Sequence, residues 1–401
     1  MKVLVQGASI AGPVLAYWLT RHGHEVTVVE RAPALRKTGG HAIDLFRPAM
    51  EISERMGVLP RIQKLATGTT ELTVHRPWRS KAVRIDYVKL AAAMSERHVE
   101  IMRDDLSEVY YDAARDDVEY LFGDELTSIT DTGDVTFRNG APRRFDVVVG
   151  ADGLHSGVRR LTFGEVSENF LGGYLAVVSV PKALAREGDM IGYYEPRRVA
   201  MVYTADHLDD ARAVFLFRPT EPLDYDYRDT PRQKAQLRAA FGGMGDEVDG
   251  WLAEADDTPA FYFDAITQLQ LSTWSKGRVT LVGDAGYCPG PAVGGSTSLA
   301  VYGAYVLAGE IARAGDDYAA AFAAYERIMM PSVLSARAFA ATIAKTIVPN
   351  SRLGVDALAI TGRAISVLPL SVTQALARLN RRGVRLYDTM PLPDAPTPVP
   401  R

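Results

Sequence analysis

The sequence predicts an α/β fold joined to a second, β-rich unit and to a helical C-terminal region, on three observations. Four short apolar runs, KVLV, HEVTVVE, RFDVVVGADG and RVTLVGDAG, are bounded by charged or glycine-containing turns, the pattern of strands buried on both faces of a parallel sheet. Residues 170–269 change to β-like stretches separated by turn residues, which suits an antiparallel sheet. From Ser298 onward Ala, Leu, Glu and Arg recur with spaced apolar positions, which is a helical composition.

Taken in order, KVLV leads into AGPVLAYWLTRHGH, where Ala11, Leu15, Trp18 and Leu19 can share one helical face and Gly23 lies at the exit. HEVTVVE then completes a βαβ unit. GGYLAVVSVP, DMIGYYEPRRVAMVYTAD, RAVFLFRP and FYFDAITQLQLSTW supply the second sheet, as one wall and the roof of a cavity. SLAVYGAYVLAGEIARAG and DYAAAFAAYERIMMPS read as helices; Pro331 breaks or kinks the second, and parts of 333–345 and SVTQALARLNRRGVRLY continue the helical region. The expected units are 1–75, 99–169 and 270–331 as one discontinuous domain, 76–98 and 170–269 as the second, and 332–386 as C-terminal helices. Residues 387–401, proline-rich, are expected to form an exposed extended tail.

A chain of 401 residues with 47% hydrophobic residues can bury the core of two associated domains. The formal net charge of −4 gives no electrostatic reason to expect nucleic acid. Cys288 is the single cysteine, which excludes an internal disulfide framework and a multi-cysteine metal site, and the seven His show no zinc-ligand spacing. No transmembrane-length apolar run occurs, and MKVLVQGASIAG reads as strand and turn rather than a signal peptide. A cytoplasmic enzyme of unspecified oligomeric state, with no membrane or nucleic-acid partner, is the expectation.

Gly7, Ser9 and Gly12 lie in GASIAG, between strand and helix, where a dinucleotide-binding turn belongs, with Ser in place of the middle Gly. Gly7 permits the tight turn, Gly12 close helix packing, and backbone N–H groups at the helix start suit a pyrophosphate. The same loop is compatible with a plain strand-to-helix turn. Glu30 ends the second strand, where a carboxylate can accept from ribose hydroxyls; Arg31 is a cofactor-side candidate whose alternative is a surface pair with Glu30.

GASIAG, DGLHSGVR (Asp152–Arg159) and GDAGYCPGPAVGGSTSLA (Gly283–Ala300), in this order, resemble the class A flavoprotein monooxygenases, the aromatic-hydroxylase-like group, over about the first 330 residues. The resemblance implies a Rossmann-like FAD-binding domain, a β-rich substrate domain, reduction by NAD(P)H and oxygen insertion without a separate nicotinamide domain. It assigns Gly7, Ser9, Gly12 and Glu30 to the ADP half of FAD. Arg103, with Leu106 nearby, matches the arginine that helps position FAD. Asp152, Gly153, Ser156 and Arg159 mark the region that supports FAD and meets the nicotinamide donor. Asp284 matches the acid near the ribityl hydroxyls, and Pro291 and Gly294 match the turn beside the flavin, where Gly295 adds backbone freedom. Ser296 stands where the family pattern has glycine: its Cβ can narrow the flavin space, or its hydroxyl can hydrogen-bond.

Other residues carry open alternatives. His155 has no partner visible in the sequence. Arg47 is either a cofactor contact or a surface pair, Tyr287 a gate or a packing residue, and Cys288 a packing residue. Tyr193, Tyr194, Arg198, Tyr203, Phe215, Phe217 and Arg218 are candidates for the cavity wall or for sheet packing. The implied reaction is hydroxylation of an aromatic or polycyclic substrate, natural products included, by NAD(P)H, oxygen and FAD through a C4a-hydroperoxyflavin. The alternatives are Baeyer–Villiger insertion, oxidation or rearrangement on the same scaffold, and an impaired FAD-binding interaction protein, motivated by Ser9 and Ser296.

Overall fold

A computed structural model describes residues 1–35, 39–95, 97–258, 260–291, 295–373 and 386–394. Its first unit is built on a six-stranded sheet in the order Ser275–Lys276, Val279–Leu281, Val147–Gly150, Lys2–Gln6, Glu25–Glu30, Glu119–Phe122, parallel except at the Ser275–Lys276 edge. Val3, Leu4, Val5 and Val147–Val149 are fully buried, which is why these strands read as unbroken apolar runs. The Ala11–Arg21 helix returns between the first two strands, burying Ala11, Val14, Leu15, Trp18 and Leu19.

The second unit is a seven-stranded sheet in the order Phe261–Leu269, Glu168–Pro181, Asp210–Phe217, Arg198–Tyr203, Asp189–Glu195, Glu71–His75, Val83–Asp86, antiparallel except where Asp189–Glu195 meets Glu71–His75. The expected boundary at residue 75 is corrected here. Glu71–His75 belongs to this second sheet, because Leu72 and Val74 face its core with Ile85 and Val199. One face packs toward the first unit. The other buries Tyr174, Phe215 and Phe217 under the helices Thr230–Phe241 and Asp246–Glu254 through Leu237, Phe241, Val248 and Trp251.

Between the two units lies an antiparallel ladder of Ala42–Phe46 with His98–Met102. Ile43, Leu45, Val99 and Ile101 enter the first core. The alternate pairs, Ala42 with Met102, Asp44 with Glu100 and Phe46 with His98, therefore share the opposite face. Ala42 and Met102 join the core of the second unit.

Two further expectations are corrected. Pro331 neither breaks the chain's helix nor separates domains: one helix runs Tyr318–Thr346 with the proline inside it, so the boundary at 331/332 falls mid-helix. A mid-helix proline costs about 3 kcal/mol. Phe322, Tyr325, Met329, Val333 and Ala336 are buried along one stripe, and at about 1.5–3 kcal/mol per large side chain that burial outweighs the cost. The start of the tail is not exposed either. Leu386, Tyr387 and Met390 are buried in the first core, and 386–394 lies as a strap along the Ser296–Ala314 helix. Most of SVTQALARLNRRGVRLY, at 374–385, and the tail beyond 394 lie outside the described residues.

Candidate functional site

Three neighbouring parallel strands, Val279–Leu281, Val147–Gly150 and Lys2–Gln6, each deliver one motif at their carboxyl end, where ligands bind in open α/β sheets. The loops are locked together. Gly7, at φ +113°, lies so close to the second motif that a Cβ there would come within 2.5 Å of the Ala151 carbonyl oxygen. Gly283, at φ +67°, packs between Ala11 and Ala300, 3.4 and 3.2 Å from where its Cβ would stand. Arg159, 3% exposed, donates from Nη1 to the Ala285 carbonyl at 2.9 Å and from Nη2 to the Leu154 carbonyl at 2.5 Å. Its side chain ties the second motif to the third.

Around this junction stand the polar groups. The Glu30 carboxylate accepts from the Ala8 N–H at 3.0 Å and the Ala32 N–H at 2.8 Å, so it sits beneath the first loop. Arg31 is exposed and forms no ion pair among the described residues, Glu30 included. Arg103 opens the Arg103–Ala114 helix and donates to Ser9 Oγ at 3.2 Å, while Ser107 Oγ donates to the Ser9 carbonyl at 3.0 Å. Ser9 has no positive φ, since Arg197 is the one such non-glycine among the described residues. A side chain at position 9 is thus accommodated without backbone strain.

Asp152 accepts from Ser156 Oγ at 2.5 Å and from the Gly157 and Val158 N–H groups at 2.7 and 3.1 Å, capping the Gly157–Phe163 helix. Burial raises its carboxyl above the usual range against those hydrogen bonds. Gly153, at φ +79°, has nothing within 4 Å of its Cβ direction, so the chain borders open space there. Asp284 is half-buried at the start of the Asp284–Tyr287 turn of helix, and burial raises its carboxyl while Arg103 opposes the shift. Arg103 and Asp284 thus face the same space from two motifs.

Pro291 is half-buried, Gly294 lies outside the described residues, and Gly295 carries φ +81° as N-cap of the Ser296–Ala314 helix. Ser296 is the first helical residue. The left-handed position falls on Gly295, so Ser296 requires no glycine-like backbone. Tyr287 is a packing residue: fully buried, it takes a 3.0 Å hydrogen bond from the Tyr325 hydroxyl and packs on Trp274 at 5.0 Å. Burial pushes the Cys288 thiol well up, which makes it inert.

The second sheet divides its candidates by face. Tyr194 and Tyr203 lie on the face that meets Met102 and the C-terminal helices, whereas Tyr193, Phe215 and Phe217 lie on the far side. Arg198 pairs with Glu195 at 2.7 Å and Arg218 donates to the Ala344 carbonyl at 2.9 Å, both as framework contacts. Arg47 pairs with Glu51 at 2.8 Å and also donates to the Asp388 carbonyl of the strap.

Several groups had no sequence signal. His155 Nε2 lies 3.1 Å from Asp264, whose carboxylate also accepts from Tyr225 at 2.8 Å, and the imidazole stacks on Tyr227 at 3.9 Å. His98 lies 2.6 Å from Asp44, and Tyr87 donates to Glu100 at 2.7 Å. His41, beside Arg103, is lowered to about 4, by burial first and by that guanidinium second. The Asp44–His98 and His155–Asp264 pairs join residues 54 and 109 positions apart, and Tyr87–Glu100 residues 13 apart, so each depends on how separate elements dock.

A guanidinium at a glycine loop, a carboxylate beneath it, a second acid facing the same space and an open border at Gly153 together suit a dinucleotide carrying hydroxyls and phosphates. The chain matches the FAD binding domain family over residues 1–327. It belongs to that family, and within it to the class A flavin-dependent monooxygenases. An uncharacterized protein of Mycobacterium tuberculosis is 44% identical over 335 residues, covering 80% of this chain and 88% of that one. A flavin-dependent monooxygenase of Legionella longbeachae is 35% identical over 334 residues, covering 82% and 85%. The crystal structure of tetracycline destructase Tet(55) superposes with a TM-score of 0.81 at 31% identity, covering 98% of each chain.

Proposed function

We propose that the protein hydroxylates an aromatic or polycyclic organic substrate with FAD, NAD(P)H and oxygen. The observation that carries the reading is the convergence of three motif loops at the carboxyl ends of adjacent strands, facing a second sheet. Bound FAD supplies the electron transfer and oxygen activation. This chain's own residues bind, orient and shield. The Gly7–Gly12 turn and its helix start would receive the pyrophosphate with Arg103, Glu30 would accept from ribose hydroxyls, and Asp284 from the ribityl chain. Asp152 and Arg159 would hold the loops in register rather than touch the reacting atoms. The Gly295–Ser296 turn would border the flavin ring.

Tyr203, whose hydroxyl accepts from the Ala42 N–H at 2.6 Å, ties the second sheet to the Ala42–Phe46 ladder, and the substrate would lie beside this junction, shielded from water. The 31% identity to a tetracycline destructase across almost the whole chain supports a polycyclic substrate and selects tetracycline as the first probe. The impaired-protein reading loses its motive, because Ser9 and Ser296 both occupy ordinary backbone conformations. The test is turnover of tetracycline and a panel of phenols by FAD-loaded protein with NADH or NADPH under oxygen-18. One labelled atom in an organic product is expected. NAD(P)H oxidation that yields only peroxide across the panel counts against hydroxylation.

A further inference from the structure

The strap at 386–394 is fastened by side chains of the first unit and by Ser95, just ahead of the His98–Met102 strand. Tyr302 donates to the Pro391 carbonyl at 2.7 Å and Tyr305 to the Pro393 carbonyl at 3.0 Å, both from the Ser296–Ala314 helix. Ser95 donates to Asp388 Oδ1 at 2.5 Å, and Arg47 and Arg313 donate to the carbonyls of Asp388 and Asp394. These bonds place Tyr387 at one spot. Its ring, 2% exposed, stacks on Phe46 at 4.9 Å and 19°. Its hydroxyl and ring edge fill the volume where any Cβ on Gly295 would stand. Phe46 is tied to the same helix start, its N–H donating to Ser298 Oγ at 2.9 Å. The phenol is raised by burial and by the Asp284 carboxylate, so the strap shares a space with the acid of the third motif.

Gly295 is therefore required twice, by its φ of +81° and by the aromatic ring pressed against it. We propose that Tyr387 is a positioning residue for FAD: by bracing the Gly295–Ser296 turn it couples docking of the C-terminal strap to cofactor binding. The inference rests on the reading of Asp284–Ser296 as part of the FAD site. Coupling is reciprocal: whatever factor the docked strap adds to FAD affinity, bound FAD must add to strap docking.

The experiment measures FAD affinity of the apoprotein by flavin fluorescence for the full chain, Tyr387→Phe, Tyr387→Ala, Ser95→Ala and a chain ending at Arg385. Hydrogen exchange of 386–394 in the unaltered chain is followed with and without FAD. The dissociation constant is expected to rise about tenfold, a 1.4 kcal/mol loss, in Tyr387→Ala and in the shortened chain. Tyr387→Phe stays within threefold of the parent, and Ser95→Ala falls between. FAD is expected to slow exchange of the strap by a similar factor, a readout that needs no variant to fold. A lowered melting temperature with unchanged FAD affinity and FAD-insensitive exchange makes Tyr387 a purely structural residue and overturns the proposal. Tighter FAD binding in the shortened chain overturns it too, since the strap would then compete. Failure of the unaltered chain to bind FAD would instead sink the site reading itself.

Discussion

Gly12→Ala and Gly250→Ala make the same chemical change with opposite predicted signs. Both glycines lie inside helices, Ala11–Arg21 and Asp246–Glu254, where alanine is favoured by about 1 kcal/mol. Gly250 is exposed with nothing within 4 Å of its Cβ direction, so Gly250→Ala is expected to stabilise by about that amount. At Gly12 the new Cβ would fall against the Gly7 carbonyl oxygen, well inside the 3.0 Å that Cβ atoms keep. The obstacle is backbone, not a side chain that can swing away. Gly7 is itself pinned by its N–H to the Val29 carbonyl at 2.7 Å and by the Ala151 carbonyl beside it. Overpacking of this kind costs about 1–3 kcal/mol. After the propensity gain, Gly12→Ala should lose up to about 2 kcal/mol and weaken FAD at least tenfold, since the shift displaces the loop. Urea unfolding of the apoproteins and FAD titration of each decide it. Gly12→Ala as stable as Gly250→Ala, with parental FAD affinity, would refute the packing argument.

Four further outcomes are expected. Pro331→Ala restores one helical N–H at an exposed position and should stabilise by about 1–3 kcal/mol in thermal unfolding, given the cost of a mid-helix proline. Arg159→Met leaves the Leu154 and Ala285 carbonyls without their donors and should cost about 2–4 kcal/mol, with Arg159→Lys failing to restore both bonds. Cys288 should give no thiol titre in the folded protein and one after denaturation, because it is fully buried with its thiol pushed up. His41 is held near pKa 4, below the unfolded value of 6.5, so the unfolded chain binds its proton first. Its neutral form carries no penalty above about pH 6.5; stability falls as pH drops from there toward 4, by at most about 3 kcal/mol, and His41→Gln should flatten that decline in urea unfolding.

What could be read in advance were the features that restrict the backbone. Gly7 and Gly12 announce a turn that admits no Cβ, and the valine runs announce strands covered on both faces. Pairings made across the fold left no such trace. Asp44 meets Glu100 through strand register, and His155 meets Asp264 through the docking of two sheets. The Thr230–Phe241 helix escaped because Gln233 is one of its three buried contacts, which blurs the apolar period. The strap was misread for a related reason. Proline removes an N–H but keeps its carbonyl, so a proline-rich segment can be fastened by donors such as Tyr302 and Tyr305 from elsewhere in the chain.

A crystal structure of the FAD-loaded protein decides whether the three converging loops hold the cofactor. The expected arrangement has the adenine ribose at Glu30, the pyrophosphate at the Gly7–Gly12 turn beside Arg103, the ribityl chain at Asp284 and the ring bordering Gly295, with Tyr387 still stacked on Phe46. FAD bound away from the three converging loops, or in contact with neither Arg103 nor Asp284, would contradict it.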